Sequence, residues 1–315
     1  MTTLVTGPDG FVGQQVCRSL SQCGHSVRGA QWQAVPLSDG CESVVVGDIG
    51  AETEWDAALQ GIDGIVHLAA RVHIMDDDAS DPLAEFRKVN VAGTRQLAVS
   101  AAEAGVRRLV FLSSIKVNGE GGLDQDAGSA SYTEADEPDP QDPYGVSKWE
   151  AEQVLREVEA RSGLEVVILR PPLVYGPGVK ANFLRLIQLV DKGVPLPLGS
   201  IRNARSLIGL TNLADLVCQC LEQPTAAGET FVVSDGDDVS TAELVERIAR
   251  ALGRRPRLLP VPEAIMEFAG KLTGKSEQVQ RLCSSLCIDS ARVREVLTWM
   301  PPCAMEQELE RVAQW

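Results

Sequence analysis

The sequence predicts an α/β fold: a doubly wound parallel sheet carrying a smaller α+β part over one end. Three observations predict it. Short apolar, β-branched runs alternate with helical patterns through the first half of the 315 residues. Those runs are apolar on both faces, as parallel strands covered by helices on both sides must be. A glycine-rich turn, Gly7-Pro8-Asp9-Gly10-Phe11-Val12-Gly13, lies where the first strand meets the first helix.

The strands read as Thr2–Thr6, then residues 43–46, 65–68, 109–112 and 166–169, with a second strand following Gly24-His25-Ser26-Val27. Val12, Val16 and Leu20 fall at helical spacing, and Gly24 stops that helix. A later helix takes Asp142 as N-cap and Pro143 in its first turn, buries Ala151, Val154, Leu155 and Val158, and ends at Gly163. This βαβαβ series occupies residues 1–170 and is expected to receive elements from 205–235 as well. After Arg170 the texture changes: Pro171-Pro172, Gly176-Pro177-Gly178 and the run 193–199 break the chain into short pieces. Helical patterns return at 182–191, 211–222, 241–252 and 290–297. Residues 171–315 are therefore expected to form a substrate-binding cap over the carboxyl ends of the strands, where such sheets bind ligands.

Composition narrows the function. Lys and Arg number 29 against 44 Asp and Glu, a net charge of −15. That excludes nucleic acid or an anionic membrane as the main partner, since phosphate binding needs a basic footprint. Between Val117 and Ser147 there is no Lys or Arg, while Glu120, Asp124, Asp126, Glu134, Asp136, Glu137, Asp139 and Asp142 make a solvated acidic stretch that could border a site. No apolar run approaches the ~18–20 residues of a membrane span. The N-terminus lacks a basic leader, and the eight cysteines show no CxxC pair or zinc spacing. A cytoplasmic, reduced chain without a bound metal is expected.

The glycine turn implies a dinucleotide. Gly7 permits a tight turn, Gly10 lets backbone N–H groups approach a pyrophosphate, and Gly13 lets the helix pack close to the sheet. The anion then meets the positive helix end, beside Asp9, Phe11 and Val12. Further on, Tyr144-Gly145-Val146-Ser147-Lys148 puts Tyr144 and Lys148 on one helical face. An ammonium beside a phenol favours the phenolate, so Tyr144 could take a proton from a substrate hydroxyl or return one to a carbonyl.

The TGxxGFxG turn, Gly47-Asp48-Ile49, His67-Leu68-Ala69-Ala70, the NVxGT segment at Asn90 and the YxxxK pair together resemble the extended short-chain dehydrogenase/reductase superfamily. Within it the likeness is to the NAD-dependent epimerase/dehydratase family. The resemblance implies a Rossmann-type NAD(P) site in which Asp48 and Ile49 meet the adenine, Leu68, Ala69 and Ala70 lie beneath the cofactor, and Asn90 fixes the central strands. It also implies Ser114 as the third catalytic group, bonding the reacting oxygen, with Ser113 facing away as a structural residue. NAD-selective members carry an acid where this chain has Gln31, so Gln31 with Arg28 as a 2′-phosphate partner tilts the expectation towards NADP(H). Ile115-Lys116 stands where dehydratases carry an Asp-Glu pair, which argues against dehydration. Lys116 is then expected to contact either substrate or the acidic loop.

Asn182 and Arg205 resemble residues that hold a UDP-sugar diphosphate, and His73 on the same rim is a further substrate candidate. Leu173 stands where epimerases usually have Asn. On Leu173 and Gln31 the expectation leans to reduction of a UDP-4-keto-6-deoxy-N-acetylhexosamine in surface-polysaccharide synthesis. The alternative is an NAD-dependent UDP-hexose 4-epimerase, and a remote one is a non-catalytic NADP-sensing regulator. The resemblance further implies a homodimer joined through a four-helix bundle by helices 83–104 and 143–162.

Overall fold

The computed structural model describes residues 1–37, 40–72, 81–121, 131–274 and 276–315. Strands β1 (Thr2–Thr6), β2 (Ser26–Gln31), β3 (Cys41–Val45), β4 (Gly64–His67), β5 (Arg108–Leu112), β6 (Glu165–Arg170) and β9 (Thr230–Val232) form one seven-stranded sheet. Its order is β3-β2-β1-β4-β5-β6-β9, with every neighbouring pair parallel. The remaining strands, β7 (Leu173–Tyr175) and β8 (Leu207–Gly209), pair with each other. The helices are α1 (Phe11–Gln22), α2 (Asp56–Leu59), α3 (Pro82–Phe86), α4 (Thr94–Glu103), α5 (Pro143–Arg161), α6 (Ala181–Asp191), α7 (Leu210–Glu222), α8 (Thr241–Ala251), α9 (Glu263–Thr273), α10 (Ser276–Cys283), α11 (Ala291–Leu297) and α12 (Met305–Gln314).

The two-faced apolar strands do what a doubly wound sheet requires. Val5, Val66, Val110 and Val167 point into one core with Val16, Leu20, Leu213 and Val217 of α1 and α7. Their neighbours Leu4, Ile65, Leu109 and Val166 point into the opposite core with Leu97, Ala151 and Leu155 of α4 and α5. A third core gathers Tyr175, Phe183, Ile187, Val245, Ile248 and Leu309 from the chain after Arg170.

Two elements depart from expectation. The apolar run at 44–46 is not buried on both faces: β3 is the edge of the sheet, and Val45 is 53% exposed. The single helix expected over 83–104 is interrupted by a π-helical stretch, Arg87–Gly93, between α3 and α4. That widened segment carries Asn90 into the interior, where its Oδ1 accepts from the Arg71 N–H at 2.8 Å and its Nδ2 donates to the Arg71 carbonyl at 3.0 Å and to Ser147 Oγ at 2.9 Å. Such bulges concentrate at functional sites. Among the described residues no helix is long and apolar enough to cross a membrane.

Candidate active site

The glycine loop sits where β1 gives way to α1. Gly7 has φ of +68°, and a Cβ there would press on the backbone of Ala69 at 3.3 Å. A Cβ on Gly13 would lie 2.0 Å from the Gly7 carbonyl, so only glycine lets the helix pack this close. Gly10 is the N-cap of α1 and supplies no side-chain cap, and the first turn carries no acid. Free N–H groups at a helix start, without a competing carboxylate, suit an anion. The first helical turn, containing Phe11 and Val12, is only partly buried, and Asp9 is exposed. These features fit the pyrophosphate of a dinucleotide.

The neighbouring strand ends complete that rim. Thr6 Oγ1 accepts from the N–H groups of Leu68 and Ala69 at 3.1 and 3.0 Å, and so sets the 68–70 segment beside the glycine turn. His67 lies between Thr6 and Thr94, its two ring nitrogens 2.8 and 2.9 Å from their hydroxyls. Burial, with the Lys148 charge adding to it, pushes His67 down to about 3, so it is neutral here. Ile49 packs against Gly93, where a Cβ would meet its Cγ2 at 2.5 Å, and Asp48 beside it is exposed.

Arg28, the expected 2′-phosphate partner, is engaged within the chain. Its guanidinium donates to Glu42 at 2.9 Å and to the carbonyls of Ala58 and Gln60 at 3.0 and 2.8 Å. It lies three residues back along β2 from the ligand end of the sheet, and its bonds to Glu42 and α2 occupy it. Gln31 is buried, donating to the Val35 carbonyl at 3.2 Å and accepting from Ser43 Oγ at 2.6 Å.

Ser114, Tyr144 and Lys148 are assembled from two segments. Ser114 follows β5 and caps a short 3-10 turn, its Oγ accepting from the Lys116 N–H at 3.2 Å. Tyr144 and Lys148 lie in the first turns of α5, which starts because Asp142 Oδ1 accepts from the Gly145 N–H at 2.7 Å. Lys148 Nζ donates to the Leu112 carbonyl at 2.8 Å, two residues before Ser114, and so joins the two segments. Phe86 packs edge-on against the phenol, ring centroids 6.0 Å apart.

The electrostatics differ from the sequence expectation. Burial, then the Asp142 charge, push the Tyr144 phenol above its ordinary range. Lys148, fully buried over the Phe111 ring, is pushed down to about 7 by burial, with Glu152 opposing. The ammonium bonds a carbonyl rather than the phenol, its Nζ 5.9 Å from the phenol ring centroid, so desolvation dominates both groups.

Behind them lies a buried network that the motif reading missed. Glu152, one turn beyond Lys148, accepts from both arms of Arg170 at 3.0 and 2.6 Å and from Ser113 Oγ at 2.5 Å. Arg170 also donates to Asn118 at 3.1 Å. Ser113 thus faces away from Ser114. An acid four residues after Lys148 was the available signal for Glu152.

The substrate candidates are more scattered. Lys116 Nζ pairs with Glu120 at 2.6 Å and with Asp142, so it takes the acidic-loop contact. Asn182 is exposed in the first turn of α6, just after Ala181, whose φ of 54° is a left-handed conformation uncommon outside glycine. Arg205 is largely buried, its backbone paired with Val239 and its guanidinium reaching the Ser284 carbonyl at 3.3 Å; burial pushes it below its ordinary value. His73 lies outside the described residues.

The sequence profile of the NAD dependent epimerase/dehydratase family matches residues 3–234. A UDP-glucose 4-epimerase of Vibrio cholerae is 47% identical over 313 residues, spanning 99% of this chain and 94% of that protein. Among solved structures, the UDP-N-acetylglucosamine 4-epimerase of Bacillus cereus superposes with a TM-score of 0.80 at 24% identity, covering 100% of this chain and 98% of that one. MoeE5, solved with UDP-glucuronic acid and NAD, gives 0.79 at 25% identity over the same shares.

Proposed function

This chain belongs to the NAD dependent epimerase/dehydratase family, and on that premise we propose that it is a nucleotide-sugar 4-epimerase acting on a UDP-hexose with NAD. The near-full-length likeness to a UDP-glucose 4-epimerase carries the reading. The site supplies the chemistry. Tyr144 takes the proton from the hydroxyl at carbon 4 as that carbon is oxidised, and returns it on reduction at the other face. The nicotinamide, when bound, accepts and returns the hydride. Ser114 donates to the reacting oxygen, and Lys148 supplies positive charge beside it. Gly7, Gly10 and Gly13 receive the pyrophosphate, Asp48 and Ile49 the adenine side, and Asn182 and Arg205 the diphosphate of the sugar nucleotide.

The sequence leaned instead to a 4-keto reductase using NADP(H). Arg28 would have to leave Glu42 and the α2 carbonyls to meet a 2′-phosphate, which weighs towards NAD. One observation still favours the reductase: Leu173, 49% exposed at the start of β7, presents an alkyl group where epimerases usually carry Asn. We further propose a homodimer through α4 and α5.

The test is to denature fresh protein, identify any released dinucleotide by mass, and follow UDP-glucose and UDP-N-acetylglucosamine by NMR. Carried NAD with formation of the carbon-4 epimer is expected, and Tyr144→Phe should lower turnover by about 10²–10⁴-fold. No epimer, with NADPH consumed on a UDP-4-keto sugar, would replace this reading with the reductase.

A further inference from the structure

Lys116 has an unusual placement for a lysine two residues beyond a catalytic serine. Its Nζ lies between two carboxylates, Glu120 at 2.6 Å and Asp142, and the side chain is 29% exposed. Asp142 uses its other oxygen to cap α5 through the Gly145 N–H at 2.7 Å. The same first turn of α5 approaches the Lys116 backbone so closely that a Cβ on Gly145 would lie 2.9 Å from the Lys116 carbonyl. On its other side, the Lys116 N–H holds Ser114 Oγ. One residue therefore touches Ser114, the cap of the helix that carries Tyr144, and the acidic loop.

We propose that Lys116 is a positioning residue that ties the Ser114 segment to the Tyr144 helix and screens the Asp142 carboxylate from the phenol two residues along the chain. Its kinetic consequence rests on the 4-epimerase reading; its electrostatic consequence does not. Among the described residues, the charged groups around Tyr144 are Asp142 and Lys148 on its own helix, Lys116 and Glu120 beyond Asp142, and Arg71, which lies 5.7 Å over the Phe86 ring that packs on the phenol. Of these, Asp142 is the charge that raises the phenol. With Lys116 protonated and both acids ionised, the cluster carries a net −1. Lys116→Met leaves −2, two carboxylates facing each other beside Tyr144. Lys116→Met combined with Asp142→Asn removes the lysine together with the carboxylate it screens, and an Asn still caps α5. Lys116→Arg keeps the charge throughout.

The experiment titrates the Tyr144 phenolate by ultraviolet difference absorbance, with Tyr144→Phe as the blank, and measures the pH profile of kcat/KM for the same proteins. In Lys116→Met both midpoints should rise together, by about 0.5–1 pH unit for one unscreened charge at this range in a partly solvated site. The Lys116→Met/Asp142→Asn protein should return to the wild-type midpoint or below it, and Lys116→Arg should stay near it. A Lys116→Met protein with lower turnover but an unmoved midpoint would overturn the screening role. So would a double variant that stays shifted. The two readings fail separately: a phenolate shift without turnover of any UDP-hexose sinks the epimerase assignment, and normal turnover without the shift sinks this one.

Discussion

His67 shows how a single buried side chain makes this fold sensitive to acid. It is held neutral between two threonine hydroxyls, with its pKa pushed from 6.5 down to about 3 by burial and by the Lys148 charge. Between those values the unfolded chain binds a proton that the folded chain refuses. Its contribution is therefore fully present above about pH 6.5 and is lost as pH falls towards 3, by an amount on the order of a few kcal/mol. His67→Gln removes the titration, so its stability curve from urea unfolding should be flatter than wild type across that window. Parallel curves would show that His67 takes its proton without penalty. At this scale the sequence was legible where a residue's role follows from backbone geometry, as for Gly7 and Gly13. It misled where a role depends on which partner a long side chain finds. Lys148, for instance, reaches the Leu112 carbonyl rather than the phenol.

Among the elements, the π-helical stretch Arg87–Gly93 is the one whose shape the site depends on. Residues 87–92 contain neither proline nor glycine, so nothing local announces an extra residue in the turn. The cause is tertiary: Asn90 meets the backbone of Arg71 and the Ser147 hydroxyl at once. Deleting Val91 would restore regular α-helical winding, keep the flanking segments near their present orientation, and withdraw the widened turn that carries Asn90 to Arg71 and Ser147. The protein should still show its circular dichroism, yet lose bound dinucleotide after purification; retained dinucleotide would make the bulge incidental. The α5 helix is the opposite case. Its cap, proline and buried stripe were all readable, because each is a short-range rule that no long-range contact overrides. The cap's second task, holding Lys116, was readable only as one of two contacts open to that lysine, since it joins residues 26 apart.

For the whole molecule, the sheet was legible from two-faced strands and α6, α7, α8 and α11 from their helical spacing, while the packing of the chain after Arg170 was not. The chain after Arg170 makes its short strands β7 and β8 and several helices from segments whose burial is decided by neighbours far away in sequence. Trp299, for instance, is buried with its Nε1 donating to Asp215 at 2.8 Å. The proposed dimer belongs to this scale too. Arg87–Glu150 and Arg95–Glu157 ion pairs link the α5 surface to the π-helical stretch and to α4, with Val99 exposed on α4. A face of this kind predicts elution at twice the mass of one chain and a shift to monomer for Val99→Asp. A wild-type protein that elutes as a monomer at every concentration would end the dimer proposal.

The core shared by α1 and α7 has a consequence for synthesis. Val16 and Leu20 are covered by Leu213 and Val217, and β9 completes the sheet only after α7. Ribosomes add roughly 5–20 residues per second, so α1 leaves the tunnel on the order of ten seconds or more before its cover. Through that interval the nascent chain displays a greasy half-sheet with no lid of its own. Chaperone dependence during translation should therefore end abruptly once α7 and β9 emerge, and chains arrested before that point should be recovered bound to holdases.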